Sequence, residues 1–217
     1  MVEKKILRSR KEWLEERSKT IGGSEAAAIL GLSPWMSNVE LWELKTGKIE
    51  KKEEHNLNVF TIYGTLAESP LRELFRLDYP LQKVFYEENN LFRNDKYPWA
   101  HASLDGWLQN RDGKKGVLEI KTANVMSGAQ MMKWSGKIPD HYFAQVLHEM
   151  AVFDADYAYV KAQLKRQKDG EPYHITEHYF IDRRDVNEQI DYLMESEEAF
   201  WEMVKENRRP GLILPEL

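Results

Sequence analysis

The chain contains no cysteine, and that absence removes disulfide scaffolds, thiolate zinc sites, cysteine nucleophiles and cysteine-ligated iron–sulfur clusters together. Any metal must sit on oxygen or imidazole. No apolar run approaches the length of a membrane span, and the opening segment MVEKKILRSRKEWLEERSKT is charged throughout, without the apolar stretch of a secretory signal. A soluble cytoplasmic protein with no membrane contact is expected. Surplus positive charge is missing too: 31 Lys and Arg stand against 36 Asp and Glu, a net charge of −5. A protein that coats DNA through general positive potential is not described by this composition. Basic residues confined to one groove remain compatible with it.

Apolar material is plentiful: hydrophobic residues make up 42% of the 217, with seven Trp and ten Tyr. One folded domain over residues 1–217 follows, without repeats, low-complexity tracts or a linker. Ser9 with Glu12 reads as a capping box opening a helix to about Ser18, with Trp13 and Leu14 turned inward. Ser24 reads as the N-cap of EAAAIL, and Asn38 to Thr46 before Gly47 as a further short helix. The charged run KIEKKEEHN reads as a loop. Phe60 to Arg76 has helical spacing interrupted by Pro70, which predicts an irregularity near Glu68.

From Gln82 to Thr122 the texture becomes β-like: QKVFYE, a piece near Leu91, SLDGWLQ and GVLEIKT, the last two joined by the turn RDGKK. Tyr142 to Phe153 returns to helical spacing, started by Pro139 and Asp140. A second hairpin, YAYVKAQLK and YHITEHYFI around QKDGEP, precedes a helix opened by Asp182 and Asp185 and ended by Pro210. The expected class is α/β (α+β), with a central mixed sheet flanked by helices.

The most informative residues are Asp105 in ASLDG and Glu119-Ile120-Lys121 in LEIKT. In a strand, Glu119 and Lys121 project from one face while Ile120 points into the apolar layer behind. If the preceding hairpin strand sets Asp105 opposite, two carboxylates and a lysine converge. Such a set suits phosphodiester hydrolysis: Asp105, Glu119 and the Ile120 carbonyl offer hard oxygen ligands for Mg²⁺. The lysine orients the attacking water while the metal polarises the phosphate. The plain alternative places Asp105 in a turn and pairs Glu119 with Lys121 on a strand edge, as in a non-catalytic DNA-binding or scaffold protein.

These segments resemble the YqaJ-type viral recombinase family, lambda-exonuclease-like members of the PD-(D/E)xK nucleases with a restriction-endonuclease-like core. The resemblance runs from about residue 8 to 155. Arg17 and Ser24 in RSKTIGGSEAAAILG look like the family's terminal-phosphate pocket, to which the resemblance adds Ser103 as a phosphate- or DNA-binding residue, and Glu68 in GTLAE looks like an added acidic residue near the metals. Ser103-Leu104-Asp105-Gly106 looks like the metal-binding aspartate motif, with leucine where the superfamily has proline. Leu118-Glu119-Ile120-Lys121 resembles the ligand and catalytic-lysine motif, and Gln145 in YFAQV a glutamine beside the catalytic centre. The resemblance implies an exonuclease degrading linear duplex DNA 5′ to 3′ with Mg²⁺, for which Mn²⁺ can substitute, at two ions per site. It also implies a ring-shaped homotrimer, a single-strand annealing partner and 3′ overhangs for recombination in a phage or prophage setting. A structure-selective endonuclease is the nearest rival.

Other signals read as structural. His174 and His178 fall on a strand with no third ligand, and His148 and Glu149 on the Gln145 helix read as packing or solvent residues. Trp13, Trp35, Trp42 and Trp99 read as core anchors. Arg8, Arg10, Lys11, Lys19, Lys165 and Arg166 form either a DNA track or an ordinary charged surface.

Overall fold

A computed structural model describes residues 1–50 and 59–214. The first half holds β1 (Val2–Ile6), α1 (Arg10–Ser18), β2 (Ile21–Gly22), α2 (Gly23–Ile29), α3 (Asn38–Lys45) and α4 (Val59–Asp78). It continues through β3 (Lys83–Phe85), β4 (Asn90–Asn94), β5 (Ala100–His101), β6 (Gly106–Gln109) and β7 (Lys115–Asn124). Then come α5 (Gly128–Met132), α6 (Asp140–Phe153), β8 (Tyr157–Lys168), β9 (Glu171–Asp182) and α7 (Arg183–Lys205). The charged run expected as a loop falls mostly outside the described residues.

Five strands form the main sheet in the order β3-β6-β7-β8-β9. Only β7 and β8 run parallel. A parallel pair cannot be closed by a tight turn, so the chain crosses over through α6. The expected α/β class with a mixed sheet between helices is borne out.

Side-chain alternation along β7 divides the interior. Val117 packs into the larger core with Ala158, Val160 and Ala162 of β8 and with α2, α3, α6 and α7. Leu118 and Ile120 point the other way, into a smaller cluster with Leu71 and Phe75 of α4. Glu119 and Lys121 share the parity of Val117 and so emerge on the α6 side.

Several local expectations hold. Ser9 caps α1, its Oγ accepting from Glu12 N at 3.2 Å, and Asp182 caps α7 by accepting from Arg184 N at 2.9 Å. Others need correction. Leu14 is 45% exposed, because α1 lies on the surface and buries none of its residues. Ser24 is not a cap: α2 starts two residues earlier than expected, at Gly23, with Gly22 at the cap and its N–H donating to Glu25 Oε2 at 3.0 Å. Gly22 suits that place because a Cβ there would meet the buried His101 ring at 2.8 Å. Trp35, expected in the core, is 70% exposed, whereas Trp42 and Trp99 are buried. Pro70 does not break α4. Short strands β1, β2 and β5, and helix α5, have too few residues to show a period.

Beyond α7 the chain returns to α3. The Asn38 amide donates to Gly211 O at 2.7 Å and accepts from Ile213 N at 3.0 Å, while Trp42 Nε1 donates to Met203 O at 3.2 Å.

Candidate active site

The site forms where β7 outruns one neighbour. Strand β6 pairs only with Lys115–Leu118, whereas β8 accompanies β7 from Gly116 to Asn124. From Glu119 onward the β6-side edge is therefore open. Asp105, the residue before β6, folds across it, and its Oδ2 accepts from Ile120 N at 2.9 Å. Its own carbonyl is held by Arg72 of α4, whose Nε donates at 2.6 Å while the guanidinium lies over the Tyr86 ring, 3.5 Å from the centroid.

On the α6 side, Lys121 Nζ lies 2.6 Å from Glu119 Oε1. Gln145 joins both: its Oε1 accepts from Lys121 Nζ at 2.9 Å, and its Nε2 donates to Glu119 Oε1 at 2.7 Å and to Glu149 Oε1 at 2.8 Å. Only this amide orientation gives the ammonium an acceptor and both carboxylates a donor. The Lys121 ammonium also sits 4.7 Å from the centroid of the Tyr142 ring.

The region carries more acid than base. Burial first, then Glu119 and Glu68, push the Asp105 carboxyl well above its ordinary range. Glu149 is likewise pushed well up by burial and then by Glu119, and Glu68 is raised by the same two causes. Burial works against the Lys121 charge, but Glu119 and Asp105 outweigh it and hold its pKa above the usual lysine value. Lys121 thus stays an ammonium.

Arg17, at the end of α1, stacks on Trp13 with its guanidinium carbon 4.1 Å from the ring centroid. Trp13 Nε1 donates to Asn90 O at 3.0 Å and to Ser103 Oγ at 3.2 Å. Ser103 therefore anchors the indole under Arg17. Burial lowers the Arg17 pKa, with Glu25, Glu149 and Asp105 opposing. Ser24 is exposed on the first turn of α2, and among the described residues no hydrogen bond joins its hydroxyl to Arg17.

The expected residues thus converge to different degrees. Glu119, Lys121 and Gln145 touch directly; Asp105 and Glu68 join through one backbone hydrogen bond and through mutual charge; Arg17 stands alongside; Ser24 lies apart. Two residues were not anticipated in the site. Arg72 has no sequence signal beyond lying four residues after Glu68, and Glu149, four after Gln145, reads from the sequence as able to approach the site but more in keeping with packing or solvent. Both are one helical turn from an expected residue, and so share its face. His148 faces away, with Nδ1 2.7 Å from Glu197 Oε1 and Nε2 2.8 Å from His101 O. His174 and His178 lie on β9, as expected.

The donor set suits a hard divalent cation: four carboxylates, one of them with a buried oxygen, Glu149 Oε2, that lacks any partner. Among the described residues, no three acidic or imidazole groups stand in a geometry that would hold an ion. Glu119 is turned to Lys121 and Gln145, and Asp105 to the backbone of Ile120.

The YqaJ-like viral recombinase domain matches residues 12–158. The chain belongs to that family. Its relatives include the uncharacterized protein YqaJ of Bacillus subtilis (strain 168), 32% identical over 194 residues, or 89% of this chain. The chain spans 56% of the length of that relative. Among solved structures, the fold is similar to an alkaline exonuclease from Laribacter hongkongensis, with a TM-score of 0.62 and 16% identity, over 92% of this chain and 96% of the other. A second structure of that exonuclease, in complex with dAMP, gives a TM-score of 0.61 at 16% identity over the same shares of both chains.

Proposed function

We propose that this member of the YqaJ-like family is a Mg²⁺-dependent DNA exonuclease, residues 1–217 acting as one domain. It digests linear duplex 5′ to 3′ and leaves 3′ overhangs for a single-strand annealing partner. The observation that carries the reading is the single network of Glu119, Lys121 and Gln145, with Asp105 pinned beside it on the open edge of β7. Membership of a viral recombinase family and the likeness of fold to an alkaline exonuclease support it. A ring-shaped homotrimer belongs to the same proposal through family resemblance.

Asp105 and Glu119, with Glu68 and the Ile120 carbonyl, are the groups to hold Mg²⁺, which Mn²⁺ can replace, at two ions per site; when bound, the metal supplies Lewis-acid polarisation of the phosphate and its leaving oxygen. The chain's own groups do the rest. Lys121, held protonated, donates a hydrogen bond to the attacking water and sets positive charge where the phosphate becomes more negative. Gln145 keeps the ammonium aimed by accepting one of its protons. Glu149 fixes the Gln145 amide through its other end. Arg17, planar and charged, receives the 5′-phosphate, with Ser24 closing the pocket from α2.

One observation favours a non-catalytic reading, in which the acids and lysine are a salt-bridged strand edge: the Glu119–Lys121 ion pair itself. Charge balance argues against it, because a structural pair needs one acid per lysine, and this ammonium meets Glu119 while feeling Asp105 and Glu149 as well. Incubating end-labelled linear duplexes, with and without a 5′-phosphate, with protein and Mg²⁺ decides. Digestion from 5′-phosphorylated ends is the expected result, and closed circular DNA should resist. Cleavage of circles points to an endonuclease, and inert protein points to the scaffold.

A further inference from the structure

The most exposed tryptophan described above serves no core. Trp35 is 70% open to solvent, while Trp42, Trp99 and Trp134 are 3%, 7% and 5% exposed. Leaving a large indole in water forfeits the burial that normally justifies it. Nor is it loose. The backbone N–H groups of Trp35 and Met36 both donate to Ser33 Oγ at 3.3 Å. Its ring meets His141 in a T-shaped contact, centroids 4.9 Å apart, and lies 6.2 Å from the Tyr142 ring. The indole is therefore held on one side by two rings and stays largely open to solvent.

Its position links it to the chemistry. Tyr142 is the same ring that lies under the Lys121 ammonium, so two ring contacts lead from Trp35 to the centre of the site. Next to Trp35, starting at Pro34 and His141, opens a cleft of about 740 Å³ with an apolar floor that includes Leu30, Leu32 and Ile213, and with Lys133, Lys137 and one carboxylate, Asp140, on its wall. Burial, then Lys121 and Lys133, hold the His141 pKa down at about 4. The imidazole against the indole is thus neutral near neutral pH.

We propose that Trp35 is a stacking shelf for a nucleobase of the strand being digested, next to the phosphate at Lys121, with Lys133 and Lys137 receiving the backbone. This rests on the nuclease reading above. An exposed aromatic ring beside a cleft that carries two lysines against one carboxylate is the pairing that single-stranded nucleic acid needs, since every base has a face to stack and every link a charge.

The test compares wild type with W35A and W35F on 5′-phosphorylated duplexes, intact or carrying abasic residues near the 5′ end. Binding is read by anisotropy with a chelator present, and cutting with Mg²⁺. W35A should weaken binding and raise KM about tenfold on intact DNA, with kcat changed less than about twofold. W35F should keep most of the affinity. On the abasic substrate the two variants and wild type should converge, because the partner of the indole is gone. Equal affinity of W35A and wild type on intact DNA overturns the shelf. So does a W35A defect that persists on abasic ends, or one that vanishes once a changed oligomeric state, read by light scattering, is restored. DNA binding that depends on Trp35 without any cutting would instead retain the shelf and sink the nuclease reading.

Discussion

Two lysines on neighbouring strands, Lys121 of β7 and Lys161 of β8, both end against carboxylates, yet they sit in opposite electrostatic settings. Lys161 is 1% exposed and bonds the half-open Asp78, with His178 Nε2 at 3.2 Å. Aromatic rings of Phe75, Tyr79 and Tyr159 pack around that group. One cation meets one acid that still touches water, so the account closes locally. Lys121 meets Glu119 directly and feels Asp105 and Glu149 as well. What separates a chemical site from a structural ion pair is thus the number of acids left over once the lysine is matched, not the presence of a buried lysine.

The sharpest way to break this contrast is to remove each amine in turn. Lys121→Ala should lower DNA hydrolysis by at least about a thousandfold, with the far-ultraviolet spectrum near wild type. Retained hydrolysis would remove the assigned role. Lys161→Ala should do the reverse: about 2–3 kcal/mol of stability lost in urea titration through the cavity left behind, with kcat of the folded fraction preserved. Lys161→Met should recover most of that loss, since Asp78 can be solvated without its partner. A kcat that falls with either Lys161 variant would mean the two lysines are coupled.

A subtler difference should appear in the pH dependence of stability without metal. Asp105 and Glu149 have native pKa values above their ordinary 3.8 and 4.5. Their contribution is therefore fully present below those ordinary values and is lost as pH rises through the native ones. Melting temperature should fall across that window, by a few degrees, and Mg²⁺ should restore it. Asp105→Asn should flatten the profile. A profile that rises through the same window would show that the acids are already compensated. The smallest effect belongs to Asp78. Its pKa is lowered by the bond from Lys161, so its stabilisation is present above 3.8 and lost as pH falls below it. Asp78→Asn should abolish that acid-side loss of melting temperature, while its amide oxygen still accepts from the buried Lys161 ammonium.

Much of this contrast was legible in the sequence, for stated reasons. Glu119-Ile120-Lys121 sits in a ten-residue strand, where period two fixes which side chains share a face. The capped helices α1 and α7 announce themselves through Ser9 and Asp182. Gln145 and Glu68 were located by family resemblance and not by pattern, because a lone amide or acid on a helix carries no address. Arg72 escaped because it matters only through partners on other elements, Asp105 and Tyr86, and Glu149 because its role follows from Gln145, which the pattern alone does not locate. Trp35 was misplaced because composition rewards burying an indole, and nothing local tells that its loop turns outward. Lys161 carries no signal within YAYVKAQLK, since its acid lies 83 positions away in the chain.

The grip of Asn38 on residues 211 and 213 has a practical reach. Helix α3 ends in Lys45, which ties Thr20 O at 2.8 Å and Glu25 Oε2 at 2.7 Å, the stretch that leads from Arg17 into α2. Trimming the chain back to α7, or fusing a tag tightly against residue 213, would loosen the support behind the proposed end-binding pocket. Purification handles are better placed on a spacer, so that a handle's tension is not mistaken for a weak enzyme.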